Sequence, residues 1–266
     1  MSESLVLKIL SNFESELALF KAKSPNSLIK EYFKQKGATH VKYYYYKRTK
    51  HQLIGQTKQR VADGHCIIRY RLNDYYIGKV KNNRKDGFGY HRFVNGLIYK
   101  GEYANGKKVN GSVFNPESKS VVYEGGWAKD LYNGHGRLAR PSGEVYEGDF
   151  KDGQFHGNGV LTWRNGARYE GQFVSGKREG RGLYTNVKGH IYEGGFKENK
   201  FEGEGVYRWG NLDEFKGSFS KGEITGSGIM SYRELGISGS GVWNSVRNIE
   251  SVVFDLDVGT NRELYA

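Results

Sequence analysis

The side chains able to move protons or hold a metal are few and scattered. The sequence has seven His and a single cysteine, Cys66. His65 and His135 stand seventy residues apart, each inside a short glycine motif, and no histidines share metal-ligand spacing. One cysteine excludes an intrachain disulfide and a cysteine-rich zinc site, and on a strand His65 and Cys66 would face opposite ways. Glu124, Glu147, Glu170 and Glu193 recur at a regular interval. A catalytic pair is unique in a chain, so an acid that repeats reads as structural or solubilising. The glycine motifs fare no better as nucleotide sites. Gly203-Glu-Gly205 lacks the third glycine of the dinucleotide fingerprint, and Gly176-Lys177-Arg178 lacks both the Walker spacing and the hydroxyl residue after Lys. The expectation is a non-enzyme with no metal and no cofactor.

What the composition offers in place of chemistry is tyrosine, glycine and charge. The 266 residues include 20 Tyr and 38 Gly but only 3 Pro. A chain this rich in aromatics is not disordered. A core of rings lying over glycines fits, and no run approaches a membrane span. The formal charge is +12, and residues 38–98 alone hold thirteen Lys/Arg against three Asp/Glu. A block of that kind points to an acidic partner.

The rings and glycines are periodic. Tyr146-Glu-Gly148-Asp-Phe150, Tyr169-Glu-Gly171-Gln-Phe173 and Tyr192-Glu-Gly194-Gly-Phe196 are near copies 23 residues apart. Copies lead from Tyr76, Tyr99 and Tyr123 before them and from Phe215 after them. Eleven residues after each leading aromatic comes Gly-x-Gly: Gly157 and Gly159, Gly180 and Gly182, Gly203 and Gly205. The Tyr99 copy keeps only Gly111, and Leu53 opens a degenerate first copy, for eight in all. Alternate residues of a strand share a face, so each copy reads as a β-hairpin with its signature residues on one side. Asn105-Gly106, Asp152-Gly153 and Ser175-Gly176 supply its turns. Glycine weakens a strand, so the strand glycines need a reason. A missing Cβ leaves a slot for an aromatic ring of the same or the neighbouring copy.

The pattern Y-x-G-x-[FW] followed by G-x-G at a 23-residue period resembles the MORN (membrane occupation and recognition nexus) repeat. The resemblance covers 53–237. It implies a mainly β fold, an elongated single-layer antiparallel sheet of about eight stacked hairpins. It also implies a non-catalytic scaffold, similar to MORN proteins of cilia and the cytoskeleton such as radial-spoke head subunits. A cytoplasmic setting at the cilium, axoneme or cytoskeleton follows, with a mitochondrial or other large complex as the alternative.

Flanking the array, residues 1–37 read as a helical cap or docking segment. Leu5 to Phe20 form one apolar stripe, and a second short helix carries Leu28, Ile29, Tyr32 and Phe33. Residues 38–52 form a basic, Tyr-rich strand covering the first open edge. Residues 238–266 form a C-terminal cap closed by a strand at Val252–Val258.

Alternation within the first two copies places Lys58, Arg69, Arg71, Lys79, Lys81 and Arg92 on the face opposite the signature, mixed with Phe88 and Tyr90. Lys47, Arg48 and Lys50 lie close by in sequence, and Arg84 and Lys85 fall in a turn. This patch is the candidate partner-binding surface. An acidic protein surface in a larger assembly suits it first and anionic phospholipid second. Nucleic acid is disfavoured, because no recognised binding motif is present.

Overall fold

Two-residue turns at positive φ set the hairpins. Asn105 and Gly106 have φ of 49° and 87°, Asp152 and Gly153 49° and 83°, Ser175 and Gly176 49° and 80°. This is the turn geometry whose twist matches paired antiparallel strands. Asn82-Asn83 and Glu198-Asn199 adopt it without glycine. Longer turns join successive hairpins, where Asn95 and Asn165 Oδ1 accept from the backbone N–H groups of Leu97 and Ala167.

The computed structural model describes residue 6 and residues 27–38, 40–46, 51–71 and 74–246. The chain divides into two units, Met1–Gly136 and Arg137–Ala266. The first holds helix α1 (Ser27–Gln35) and strands β1 (Val41–Tyr46), β2 (His51–Lys58), β3 (Val61–Arg71), β4 (Asp74–Lys81) and β5 (Arg84–Arg92). It continues through β6 (Ile98–Ala104), β7 (Lys107–Asn115) and β8 (Ser120–Ala128) to β9 (Leu131–Ala139), which runs past the boundary. The second holds β10 (Val145–Lys151), β11 (Gln154–Thr162), β12 (Arg168–Val174), β13 (Lys177–Thr185) and β14 (Ile191–Lys197). Then come β15 (Lys200–Arg208), β16 (Glu214–Ser220), β17 (Glu223–Tyr232) and β18 (Ile237–Val246). Within each unit every strand pairs antiparallel with the next in sequence, a single open layer. Eight hairpins result, starting with β2–β3 and ending with β16–β17. The Tyr99 copy forms its hairpin, β6–β7, with Gly111 alone.

One arrangement recurs in them. The leading tyrosine lies over a pair of glycines facing each other across the hairpin, such as Gly78 and Gly89 or Gly171 and Gly182. A Cβ added to Gly205 would stand 2.7 Å from the Tyr192 ring and one on Gly136 2.6 Å from Tyr123 Oη, so no side chain fits there. Just past the glycine the register shifts, leaving Lys79, Gln172 and Gly195 without a partner on the following strand. The tyrosine hydroxyl donates to those carbonyls. Tyr76 reaches Lys79 O at 2.7 Å, Tyr169 Gln172 O at 3.0 Å and Tyr192 Gly195 O at 2.9 Å. Tyr99, Tyr123 and Tyr146 also donate to the carbonyl three residues on, although Glu102 and Asp149 keep a cross-strand partner and the shift there skips residues of the following strand. Phe215 keeps the ring without the bond. Within each unit the rings also meet edge-on the aromatic four places into the next repeat, as Tyr76 meets Tyr103 at 5.5 Å, Tyr146 meets Phe173 at 5.2 Å and Tyr169 meets Phe196 at 4.8 Å. Such pairs contribute about 0.5–1.5 kcal/mol beyond their burial, and they couple neighbouring repeats.

The two glycines of Gly-x-Gly serve different ends. Gly203, at φ 73°, is there for its backbone, since a Cβ on it would meet nothing, whereas Gly205 is there to leave the ring its room.

β1 pairs with β2 along Val41–Tyr46 and covers its edge. Trp243 of β18 packs edge-on against Phe215 at 4.9 Å, standing where the next repeat's aromatic would. Helix α1 buries Ile29, Tyr32 and Phe33, joined by helical Val6, against Ile54, Ile67, Ile77 and Tyr90 on the face opposite the tyrosines. The rest of the Leu5–Phe20 stripe and the strand expected at Val252–Val258 lie outside the described residues.

These two roles separate by mutation. Gly205→Ala should lower stability by about 1–3 kcal/mol through overpacking. Gly203→Asn, placing a residue tolerant of the left-handed region in empty space, should lose less than 1 kcal/mol. Urea midpoints at fixed protein concentration give the comparison, and equal losses would contradict the division of labour.

Candidate interaction surfaces

The basic residues of the first repeats fall into three groups. Lys58, Lys79, Lys81 and Arg84 are exposed on the face opposite the tyrosines, near the β2–β3 and β4–β5 turns. Arg69 and Arg92 sit half-buried on the same face, both cross-strand neighbours of buried Tyr75, with Arg69 Nη1 donating to Gln52 Oε1 at 3.0 Å. Arg71 ends β3, with its side chain outside the described part, and Lys47, Arg48 and Lys50 are outside the described residues altogether. The cations do not form one open field, because α1 occupies the middle of this face. Phe88 is exposed at its margin, while Tyr90, expected at the surface with it, is buried beneath the helix.

Lys85 is elsewhere. The Asn82-Asn83 turn closes in two residues, so Arg84 and Lys85 already belong to β5, and Lys85 pairs with Val80 on the tyrosine face. Its ammonium lies 5.1 Å from the Tyr70 and Tyr76 ring centres and 5.3 Å from that of Tyr103. Lys85 Nζ donates to His91 Nδ1 at 2.9 Å, and His91 Nε2 donates to Asp74 Oδ1 at 2.8 Å. That chain needs a neutral imidazole with its proton on Nε2. Burial, then the Lys85 charge, holds His91 down to about 4. Burial also brings Lys85 down to about 8, with Asp74 opposing.

Lys85 occupies a repeat position that sequence alternation did not single out, nine residues after the leading aromatic. Its occupants are Ala62, Lys85, Lys108, Tyr132, Phe155, Arg178, Phe201 and Ile224, and the six from Lys85 to Phe201 face the leading tyrosine of their repeat. Tyr132, Phe155 and Phe201 stack on theirs at 3.7–3.8 Å. Lys108 and Arg178 stand 5.5 and 5.6 Å over Tyr99 and Tyr169. The 23-residue register carried the signal, an aromatic-or-cation choice at one position, which is what a ring face accepts.

At the edge of α1 a cleft of about 300 Å³ is lined by Val6, Tyr32, Lys36, His65, Ile77, Lys79, Phe88 and Tyr90. Burial and then Lys79 lower the Lys36 ammonium below its usual range. Burial, then Lys36 and Lys79, bring His65 down to about 4. The cleft therefore carries positive potential around a neutral imidazole. Among the described residues no His, Cys, Asp and Glu group could hold a metal, and no helix is long and apolar enough to cross a membrane.

The Lys85 site yields a pH test. The unfolded lysine titrates near 10.5 and the folded one near 8, so between these the unfolded chain binds more protons and stability rises with pH. From pH 7 to 10.5 the wild type should gain on Lys85→Met by on the order of 2 kcal/mol. Parallel urea titrations at the two pH values check this, and a pH-independent difference would show that the lysine is not desolvated.

Six MORN repeats match the MORN family model, at residues 76–98, 123–145, 146–168, 169–191, 192–214 and 215–234. The hairpins led by Leu53 and Tyr99 fall outside those matches. No curated protein matches the sequence. Among solved structures, one to which the chain is similar is the SAS-4 (dCPAP) TCP domain in complex with a proline-rich motif of Ana2 (dSTIL) from Drosophila melanogaster. The two are 9% identical, with 76% of this chain and 90% of that one covered and a TM-score of 0.30. The matched repeats take in just over half of the chain, each led by an aromatic ring set over paired glycines, and the chain belongs to the MORN repeat family.

Proposed function

We propose that this protein is a non-catalytic interaction subunit that attaches to an acidic protein surface through the basic face of its first two hairpins. The observation that supports this most is the pairing of charge. Lys107, Arg140, Arg168, Lys177 and Arg208, in the later repeats, each lie within 4 Å of a carboxylate. Among the described residues Lys58, Lys79, Lys81 and Arg84 are exposed and make no ion pair. Stability gives no reason to gather unpaired cations, whereas complementarity to an acidic partner does, through a faster encounter and a fixed register. The cleft beside Lys36 and Lys79 adds to the same field. MORN proteins of cilia and the cytoskeleton make an axonemal or cytoskeletal assembly the setting of this reading.

Charge reversal at Lys58, Lys79, Lys81 and Arg84 to Glu should reduce co-purification of the partner from native extract by about tenfold or more, with unchanged far-ultraviolet dichroism. Raising salt from 50 to 500 mM should have the same effect on the wild type, since the charges are exposed. Co-sedimentation with vesicles containing phosphatidylserine is the second arm. Vesicle binding lost on charge reversal, with no protein partner affected, would replace this reading with a peripheral membrane one.

A further inference from the structure

Within each unit the face opposite the tyrosines carries a row of side chains in register from strand to strand, and its character differs between the two units. In the first unit the row begins Ile54, Ile67, Ile77 and Tyr90, each the cross-strand partner of the one before, and goes on through Lys100, Ser112 and Glu124. The first four are apolar, and Ile29, Tyr32 and Phe33 of α1 cover them together with Val6. In the second unit the row runs Glu147, Val160, Glu170, Leu183, Glu193, Val206, Lys216 and Ile229, again partner to partner. Among the described residues no helix lies in this unit. Leu183 is 37% and Ile229 48% exposed. A cleft of about 450 Å³ opens along the row, lined by Leu183, Glu193 and Val206 with Arg181, Glu204 and Lys216 around them.

We infer that this row is a docking site for an amphipathic helix of a partner protein, one whose contacting face alternates aliphatic residues with Lys or Arg. Three observations select that occupant. The start of the equivalent row in the first unit is already covered by a helix, so the repeat geometry accepts one. Val160, Leu183, Val206 and Ile229 stand on every second strand, roughly 9.6 Å apart. A helix repeats its face every seven residues, at about 10.5 Å, so a stripe of roughly 19 residues crosses all four. Glu147 precedes the first aliphatic, and Glu170, Glu193 and the single Lys216 stand between the others, which selects basic over acidic residues between the helix's aliphatics. Glu170 and Glu193 are held by Arg168 at 2.7 Å and Arg208 at 3.7 Å, both at the exposed margin of the row, where an incoming cation competes for them. The recurring glutamates thereby gain a role as acidic contacts between the aliphatic positions. This surface is separate from the cationic one at the first hairpins, and the two proposals fail independently.

The probe is a 20-residue helical peptide with Leu or Ile at seven-residue spacing and Lys between, titrated into the full-length protein by fluorescence anisotropy. Saturable binding is expected, weakened at least tenfold when the peptide's Lys are replaced by Glu. Leu183→Lys with Ile229→Lys should abolish it. So should Glu147→Lys with Glu170→Lys, which touches only exposed side chains and guards against misfolding of the first variant. The Lys58, Lys79, Lys81 and Arg84 to Glu variant should bind the peptide as the wild type does. No saturable binding, or equal binding of both peptides, would overturn the inference. Self-association of the free protein abolished by Leu183→Lys would overturn it in favour of a second copy on this face.

Discussion

A tyrosine ring lying across two facing glycines, with its hydroxyl bonded to the backbone three residues on, is the constraint from which this structure follows. A single-layer sheet has no second sheet to close against. The ring serves as the second layer, covering the backbone of its own hairpin and meeting the next repeat's aromatic edge-on. The register shift beside the glycine takes Lys79, Gln172 and Gly195 out of the ladder, and a carbonyl left without its strand partner gains about 0.5–1.5 kcal/mol from a hydrogen bond made elsewhere. The hydroxyl makes that bond, which explains tyrosine at six of the eight leading positions. Phe215 shows that the ring alone suffices for packing near the end of the array.

Giving one face to the tyrosines fixes what the other can do. The tyrosine face is the core, and the cations that enter it, Lys85, Lys108 and Arg178, lie on rings instead of in water. The opposite face varies along the chain. There the same repeat position is isoleucine under a helix at the start of the first unit and alternates glutamate with aliphatics in the second. A repeat protein can change its surface in this way without touching its fold, because each repeat leans only on its neighbours.

The sequence made much of this legible, for reasons that can be named. Tyrosine, glycine and turn dipeptides recur at one spacing because each is the residue that its backbone site tolerates best. The helix ending at Gly37 was readable from Ile29, Tyr32 and Phe33 by their spacing. What alternation missed lay where a tertiary contact decides. Nothing local says that Ile54, Ile67 and Ile77 meet a helix, so a face that is part core read as an open basic patch. Lys85 was misplaced because Asn82-Asn83 is a turn as tight as Asn-Gly, and two residues of assumed turn were strand. The two glycines of Gly-x-Gly looked equivalent, though only the backbone shows that one is chosen for its φ and the other for its missing Cβ.

Ultraviolet titration of the tyrosines tests the central claim most directly. Burial raises the phenols of the leading tyrosines, those of Tyr123 and Tyr169 up to about 12 and that of Tyr76 further. In the folded protein the six leading tyrosines should stay un-ionised through pH 11, and should ionise near 10 once the chain is unfolded in guanidinium. Ionisation of all 20 tyrosines in one wave near pH 10, with the sheet still folded, would contradict the account.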